Sequence, residues 1–334
     1  MEEQPWHVGE EDRYDRLRLI QWWEQKRLAA AHILVVGAGA IGNEVLKNLA
    51  LIGVGHIYIV DMDNVETSNL SRSVLFSASD EGRGKAVVAA EKVSLLNPEI
   101  HVRPFQGPAE ETIGLALFEQ VDLVIGCLDN RETRLWVNRC CWKVGRPWID
   151  GGIQEINGVV KVFEPPDGAC YECTMTQNDY RLLNLRYSCP LLKREDIQSG
   201  KVPTAPTIAS IVGGLQVQEA IKILHKMPVE TGQALVINGL TNQFYKTKFQ
   251  HKPDCLSHET FSTIDSINLS HNDSLADLQI VLRNFFQSKE GAPSNPKALN
   301  GKSSEEFSKT FIPKRAILSL EIDFLLSTNC PTCS

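Results

Sequence analysis

The run Ile33-Leu34-Val35-Val36-Gly37-Ala38-Gly39-Ala40-Ile41-Gly42 decides the fold. Its four leading apolar residues read as a buried strand, and residues 43–51 behind the glycines read as a helix. Between a strand and a helix the three glycines have separate tasks. Gly37 permits a tight turn, Gly39 lets the main chain approach a phosphate, and Gly42 lets the helix pack closely. The helix N-terminus that follows offers N–H groups and the positive end of a dipole to an anion. The stretch therefore predicts a nucleotide-binding turn, without choosing between ATP and NAD.

Working outward, the pattern repeats. The apolar run 57–60 ends at Asp61, a helix is predicted over 85–96 before Asn97-Pro98, and a further apolar element at 121–125 ends near Asp129. Strands of nearly continuous apolar character alternating with helices indicate a parallel sheet covered on both faces, a doubly wound Rossmann-type α/β fold. Upstream, Arg13-Tyr14-Asp15-Arg16 leads into residues 17–28, predicted as one amphipathic helix carrying Trp22 and Trp23. Downstream, residues 151–163 read as further strands of the sheet and 208–224 as a helix. Residues 174–203 are polar and aperiodic, the signature of a long crossover loop. Beyond 258 the composition changes. Residues 259–334 read as a small C-terminal appendage, with a helix near 275–287, a flexible Ser/Asn/Gly/Pro-rich loop at 289–304 and a strand-like run at 316–326.

Composition narrows the function classes. A 334-residue chain that is 43% hydrophobic can bury a sizeable core. A formal charge of −7 argues against a nucleic-acid binder driven by phosphate contacts. The first residues show no basic-then-apolar leader, and no apolar stretch reaches membrane-span length. The expectation is a soluble, cytoplasmic protein without nucleic-acid or membrane partners. Nine cysteines, several in C-x2-C spacing, favour metal or catalytic chemistry over a disulfide framework in a reducing compartment.

The polar residues after Asp61 separate ATP from NAD. Asp61 is placed to accept from ribose hydroxyls, and Asp63, Asn69, Arg72 and Lys85 form a set suited to clamping a triphosphate and stabilising departing pyrophosphate. Asp129-Asn130 closes the fourth strand, where a carboxylate could hold Mg2+. The competing reading makes Arg72 and Lys85 solvated surface charges. A nicotinamide enzyme would have no evident use for either.

The ordered set Arg13-Tyr-x-Arg16, Gly37-x-Gly-x-x-Gly42, Asp61-x-Asp63-x-Val-x-x-Ser-Asn69-Leu-x-Arg72, Lys85, Asp129-Asn130 and Cys170-x-x-Cys173 resembles the ubiquitin-activating superfamily, particularly its compact ThiF-like sulfur-carrier adenylyltransferases. The resemblance covers residues 10–258. It implies that a carrier's C-terminal Gly carboxylate attacks the α-phosphate of ATP, giving an acyl-adenylate. It further implies that Asp61 holds the ribose, that Asn69, Arg72 and Lys85 contact phosphates, that Asp129 coordinates Mg2+, and that Arg16 reaches into a partner subunit's site, hence a homodimer. The carrier implied is a small β-grasp protein, ubiquitin-like or sulfur-carrying. One departure is local: the Gln that often follows the positions of Arg16 and Arg72 is replaced by Leu17 and Ser73.

Cys170-Tyr-Glu-Cys173 has zinc-knuckle spacing and needs two more ligands. The family's second pair follows the last strand of its core, where this chain has Cys255-Leu-Ser-His258; Cys330-Pro-Thr-Cys333 competes for the role. The plainer alternative is two buried or free thiols and a surface histidine. Cys189, in the crossover near Lys193 and Arg194, is the candidate to accept the carrier as a thioester, against a reading as a non-catalytic loop cysteine. Cys127, Cys140 and Cys141 fall on apolar positions and are assigned to the core. With Cys189, the long crossover and the appendage favour a conjugation pathway with a downstream carrier-accepting enzyme. A sulfur-transfer pathway without a thioester is the alternative, and an NAD-dependent oxidoreductase or a non-catalytic scaffold are the readings outside the family.

Overall fold

The computed structural model describes residues 12–181 and 203–261, together with 274, 277, 280, 281 and 284. The chain separates into two compact units, Met1–Ser262 and Thr263–Ser334. In the second unit Ser274 and Asp277 form a reciprocal cap, Asp277 Oδ2 accepting from the Ser274 backbone N–H at 2.8 Å, and Asp277, Ile280, Val281 and Asn284 are helical. That matches the helix expected near 275–287; the loop 289–304 and the run 316–326 lie outside the described residues.

The first unit is built on one eight-stranded sheet in the order β3-β2-β1-β4-β5-β6-β7-β8. The strands are β1 (His32–Val36), β2 (His56–Asp61), β3 (His101–Gln106), β4 (Leu123–Gly126), β5 (Trp148–Gln154), β6 (Asn157–Phe163), β7 (Gln233–Asn238) and β8 (Gln243–Lys248). β3, β2, β1, β4 and β5 pair in parallel, and β5 through β8 pair antiparallel. The sheet is thus largely parallel, as expected, with an antiparallel edge from β5 to β8. Only two residues join β5 to β6, which allows a hairpin and no crossover.

Alternation along the strands splits the core in two. Ile33, Val35, Ile57 and Ile59 point to the side of α3 (Ala40–Ile52), α4 (Lys85–Leu96) and α8 (Pro206–Leu224). Leu34, Val36, Val60 and Trp148 point to the side of α5 (Ala109–Thr112), α6 (Leu115–Gln120) and α7 (Arg131–Val144). Both faces are therefore covered, as the apolar strands required. Cys127, Cys140 and Cys141 are buried within these clusters, as assigned.

One local expectation fails for an identifiable reason. The predicted helix 17–28 is two short helices, α1 (Asp15–Arg18) and α2 (Gln25–Ala30). Trp22 and Trp23 occupy the turn between them and pack on His225, with ring centroids at 5.4 and 5.5 Å, while the Glu24 N–H donates to His225 Nε2. Docking on His225 overrides the helical periodicity. Strand β3 has no counterpart in the sequence reading. Its residues are half-exposed or exposed and include Pro104, which is tolerated because β3 is the edge of the sheet.

Among the described residues no helix is long and apolar enough to cross a membrane.

Candidate functional site

The sheet reverses its order between β1 and β4, and the loops that leave these two strands open the crevice where α/β sheets bind ligands. Gly37 follows β1 with φ of +99°, and a Cβ there would lie 2.5 Å from the Cys127 carbonyl of the loop after β4. A Cβ on Gly42 would lie 2.1 Å from the Gly37 carbonyl, so the helix sits on the turn as predicted. At Gly39 a Cβ would meet nothing within 4 Å, which leaves open space against the main chain. Gly39 is the N-cap of α3 and contributes no side-chain cap, so the first N–H groups of the helix remain for a ligand.

Asn43 secures this turn, a role the sequence did not reveal. Its Nδ2 donates to the Ala38 and Gly39 carbonyls at 2.8 and 3.0 Å, and its Oδ1 accepts from the Leu75 N–H at 2.8 Å. The sequence reading made it the first residue of the helix behind the glycines and assigned its side chain no task.

Asp61 ends β2 beside the glycine turn. One carboxylate oxygen accepts the Ala38 N–H at 2.6 Å and the other accepts the Asp63 N–H at 2.8 Å. The two contacts aim the carboxylate and leave each oxygen a lone pair for a ribose hydroxyl. Burial raises its pKa, with the Ala38 N–H and the nearby Lys85 charge opposing the rise. Lys85, the first residue of α4, donates through Nζ to Asp63 Oδ2 at 2.9 Å and through its N–H to the Asp63 carbonyl at 2.9 Å. The lysine is buried and its partner exposed, so Lys85 is an oriented charge rather than a solvated one. Asn69 is buried and accepts the Glu66 N–H at 3.0 Å. Arg72 is held by the Ser68 carbonyl at 2.8 Å. Arg16 is exposed on α1 and makes no hydrogen bond or ion pair among the described residues.

Asp129 is exposed in the loop after β4, and Asn130 caps α7 by accepting the Thr133 N–H at 2.8 Å. Beneath the loop lies a charged set that sequence reasoning missed. Arg134 donates through Nε to Asp150 Oδ1 at 2.8 Å and through Nη2 to the carbonyls of Gly151, at 3.0 Å, and Leu128. Lys161 donates to Asp150 Oδ2 at 3.2 Å. Burial works against the Arg134 charge, but Asp150, Tyr171 and Asp129 together outweigh it and the guanidinium pKa is raised. A carboxylate in a strand buried on both faces requires such partners, so Asp150 within Trp148-Ile149-Asp150-Gly151 was the available signal. Gln216 of α8 joins the strand ends by donating to the Gly126 and Ile149 carbonyls at 2.8 and 3.3 Å.

Cys170, Cys173, Cys255 and His258 come together with one ligand atom from each, all within 4.8 Å of one another. Cys170 Sγ lies 3.8 Å from Cys173 Sγ and 3.5 Å from Cys255 Sγ, and Cys173 Sγ lies 3.4 Å from His258 Nε2. A tetrahedron with metal–sulfur bonds of about 2.3 Å has sulfur–sulfur edges of about 3.8 Å. The residues therefore fit a tetrahedral metal ion, and the Lys252 N–H pointing at Cys173 Sγ at 3.5 Å suits a thiolate. Cys330 and Cys333, like Cys189, Lys193 and Arg194, lie outside the described residues.

A model of the ThiF family matches residues 12–257. A sulfur carrier protein adenylyltransferase of Thermus thermophilus is 32% identical over 75% of this chain and 91% of its own length. The ubiquitin-like modifier-activating enzyme 5 of Dictyostelium discoideum is 31% identical over 67% of this chain and 60% of its own length. Among solved structures, E. coli MccB with ATP superposes with a TM-score of 0.61 at 25% identity, over 75% of each chain. The span of the family match takes in the glycine turn, the residues around Asp61 and Asp129 and three of the four cluster ligands: this chain belongs to the ThiF family.

Proposed function

We propose that the chain is an ATP-dependent activating enzyme that adenylates the C-terminal carboxylate of a ubiquitin-like or sulfur-carrier β-grasp protein. The observation that carries this reading is the gathering of the open Gly39 turn, Asp61, the Asp63–Lys85 pair and Asp129 at the strand ends around the switch point. Relatives named for this activity, and a fold shared with a protein solved with ATP, support it.

In this reading the carrier's terminal carboxylate oxygen forms a bond to the α-phosphorus, and the bond from that phosphorus to the bridging oxygen breaks, releasing pyrophosphate. The glycine turn and the N–H groups of α3 receive phosphate oxygens. Asp61 holds the ribose in the orientation fixed by Ala38 and Asp63. Asn69, Arg72 and Lys85 offset charge on the phosphates and the departing pyrophosphate. Asp129, with Asn130 shaping its loop, would hold Mg2+, which when bound neutralises part of the triphosphate charge. Arg16, exposed and uncommitted, completes the site of a second copy in a homodimer. Cys170, Cys173, Cys255 and His258 would hold a structural Zn2+.

The domain boundary at 258 and the appendage at 259–334, as a surface for a downstream carrier-accepting enzyme, belong to the same proposal, as does thioester formation on Cys189. A sulfur-carrier role without a thioester has its own support, because the T. thermophilus relative is matched over 91% of its length. ATP–pyrophosphate exchange with Gly-tailed carriers, followed by intact mass with and without reductant, decides among these. Exchange with a reductant-sensitive adduct lost in Cys189→Ala supports conjugation, and exchange without an adduct supports sulfur transfer. NAD binding without exchange would overturn the proposal.

A further inference from the structure

A continuous set of contacts runs from the Asp129 loop to the Cys/His cluster. Residues 177–181 are helical, and Asp179 closes their first turn: its Oδ2 accepts the Thr176 N–H at 2.7 Å and the Thr176 hydroxyl at 2.8 Å. Its other carboxylate oxygen pairs with the Arg131 guanidinium. Arg131 is the first residue of α7 and directly follows Asp129-Asn130. Upstream in the same segment, Met175 is buried and its carbonyl accepts from Lys252 Nζ at 2.7 Å, while the Lys252 N–H points at Cys173 Sγ at 3.5 Å. Tyr180, next to Asp179, donates its hydroxyl to Glu172 Oε1 at 2.8 Å. Glu172 stands between Cys170 and Cys173 and is buried; its Oε2 accepts the hydroxyl of Ser257, which stands between Cys255 and His258. Arg139 of α7 donates to the same carboxylate at 2.8 and 3.3 Å. One buried carboxylate thus joins both ligand pairs, and the segment carrying it is tied to α7 twice, at Arg139 beside the cluster and at Arg131 beside the nucleotide loop. A cluster that only stapled the fold would need the first tie and not the second.

We propose that the Cys/His metal site and the nucleotide site are coupled through residues 172–180, with Asp179 as the positioning residue that passes metal occupancy to the Asp129 loop. The proposal rests on the metal-site and ATP readings above. Four ligands drawn to one ion fix Cys173 and, through Ser257 and Glu172, the anchor of Tyr180. Asp179 is then held where it grips Arg131, and the loop presents Asp129 in one orientation. With the ligands unheld, the Asp179–Arg131 pair is left to itself, and a pair whose arginine is exposed holds little alone. Coupling of two equilibrium affinities is reciprocal: nucleotide with Mg2+ strengthens metal retention by the factor by which the metal strengthens nucleotide binding.

A row of contacts marks a route, and only a measured coupling establishes that it is used. Zinc bound to the full chain is partitioned against a chromogenic chelator with and without saturating ATP, with Mg2+ in excess throughout so that the nucleotide does not itself sequester zinc. The wild type should hold zinc about 5-fold more tightly with the nucleotide present, at the low end of coupling between sites. Asp179→Asn keeps an oxygen for Thr176 and loses the charge that pairs with Arg131. It should retain the wild-type zinc affinity without nucleotide and lose the gain on adding it. Arg131→Gln removes the same pair from its exposed side and carries the test if Asp179→Asn disturbs the helix start. A wild-type zinc affinity that does not change with nucleotide would overturn the proposal, as would a gain that persists undiminished in both variants. A wild-type chain that binds ATP and no zinc would overturn the metal-site reading, and one that binds zinc and no ATP the nucleotide reading, so each failure is distinguished from a failure of the coupling.

Discussion

Arg134 and Asp150 form a buried pair, Nε to Oδ1 at 2.8 Å, and the same guanidinium holds the Leu128 carbonyl one residue before Asp129. The carboxylate assigned to Mg2+ therefore stands on a loop braced from below by a charge network reaching β5 and β6. Replacing Arg134 by Ala leaves Asp150 with Lys161 as its remaining ion-pair partner among the described residues, in a wholly buried setting. Breaking such a pair costs about 3–5 kcal/mol. Chemical denaturation should show that loss for Arg134→Ala. Where the variant remains folded, its exchange activity should require more Mg2+, and Arg134→Lys should recover stability better than Mg2+ dependence because it lacks the planar fork.

Asp129 and its neighbour Asn130 should separate cleanly in function. Asp129→Ala is expected to abolish ATP–pyrophosphate exchange while barely changing the melting temperature, because the side chain is exposed. Asn130→Ala removes the cap of α7 and should cost about 0.5–2 kcal/mol in denaturation while leaving measurable exchange. Full exchange activity in Asp129→Ala would remove the Mg2+ assignment.

The metal stoichiometry discriminates between the two pairs of candidate ligands. Cys255→Ser and His258→Ala should each lower bound zinc well below one per chain and lower the melting temperature. Replacing Cys330 and Cys333 together by Ser should leave one zinc per chain. Elemental analysis after dialysis against a chelator reads both, and the opposite pattern would move the site to the C-terminal pair.

Burial raises the Asp61 pKa, and the sign of the consequence follows from proton binding. Between the unfolded value, about 3.9, and the higher folded value, the folded chain holds a proton that the unfolded chain has lost. Ionising Asp61 thus lowers stability as pH rises through that window, and the cost is fully present above the folded value. Melting temperatures from pH 3 upward should show this contribution in the wild type and lack it in Asp61→Asn. Nucleotide affinity should run the other way, rising as the carboxylate ionises, and titration with ATP across the same range checks it.

How legible these features were differs by residue. Gly37, Gly39 and Gly42 could be assigned from the chain alone, because a buried strand, a turn and a helix follow one another locally and each glycine answers a local steric need. Asp61 was legible because it ends an apolar strand. Cys170 and Cys173 were legible because their spacing is itself a geometric constraint. His258 required the sheet to bring residues 85 positions apart within 3.4 Å, and local spacing alone left it competing with a second C-x2-C. Arg134, Asp150 and Lys161 lie on α7, β5 and β6; the packing of α7 on the sheet brings Arg134 to Asp150, and the hairpin after β5 brings Lys161. The pairing of Trp22 and Trp23 with His225 likewise overrode a helical periodicity that the sequence states clearly. The sequence by itself determined the strand–turn–helix frame and the residues whose roles follow from their immediate neighbours. The tertiary structure decided the antiparallel edge, the completion of the Cys/His cluster and the buried charges under Asp129, because those depend on contacts between segments whose separation along the chain carries no information about their distance in space.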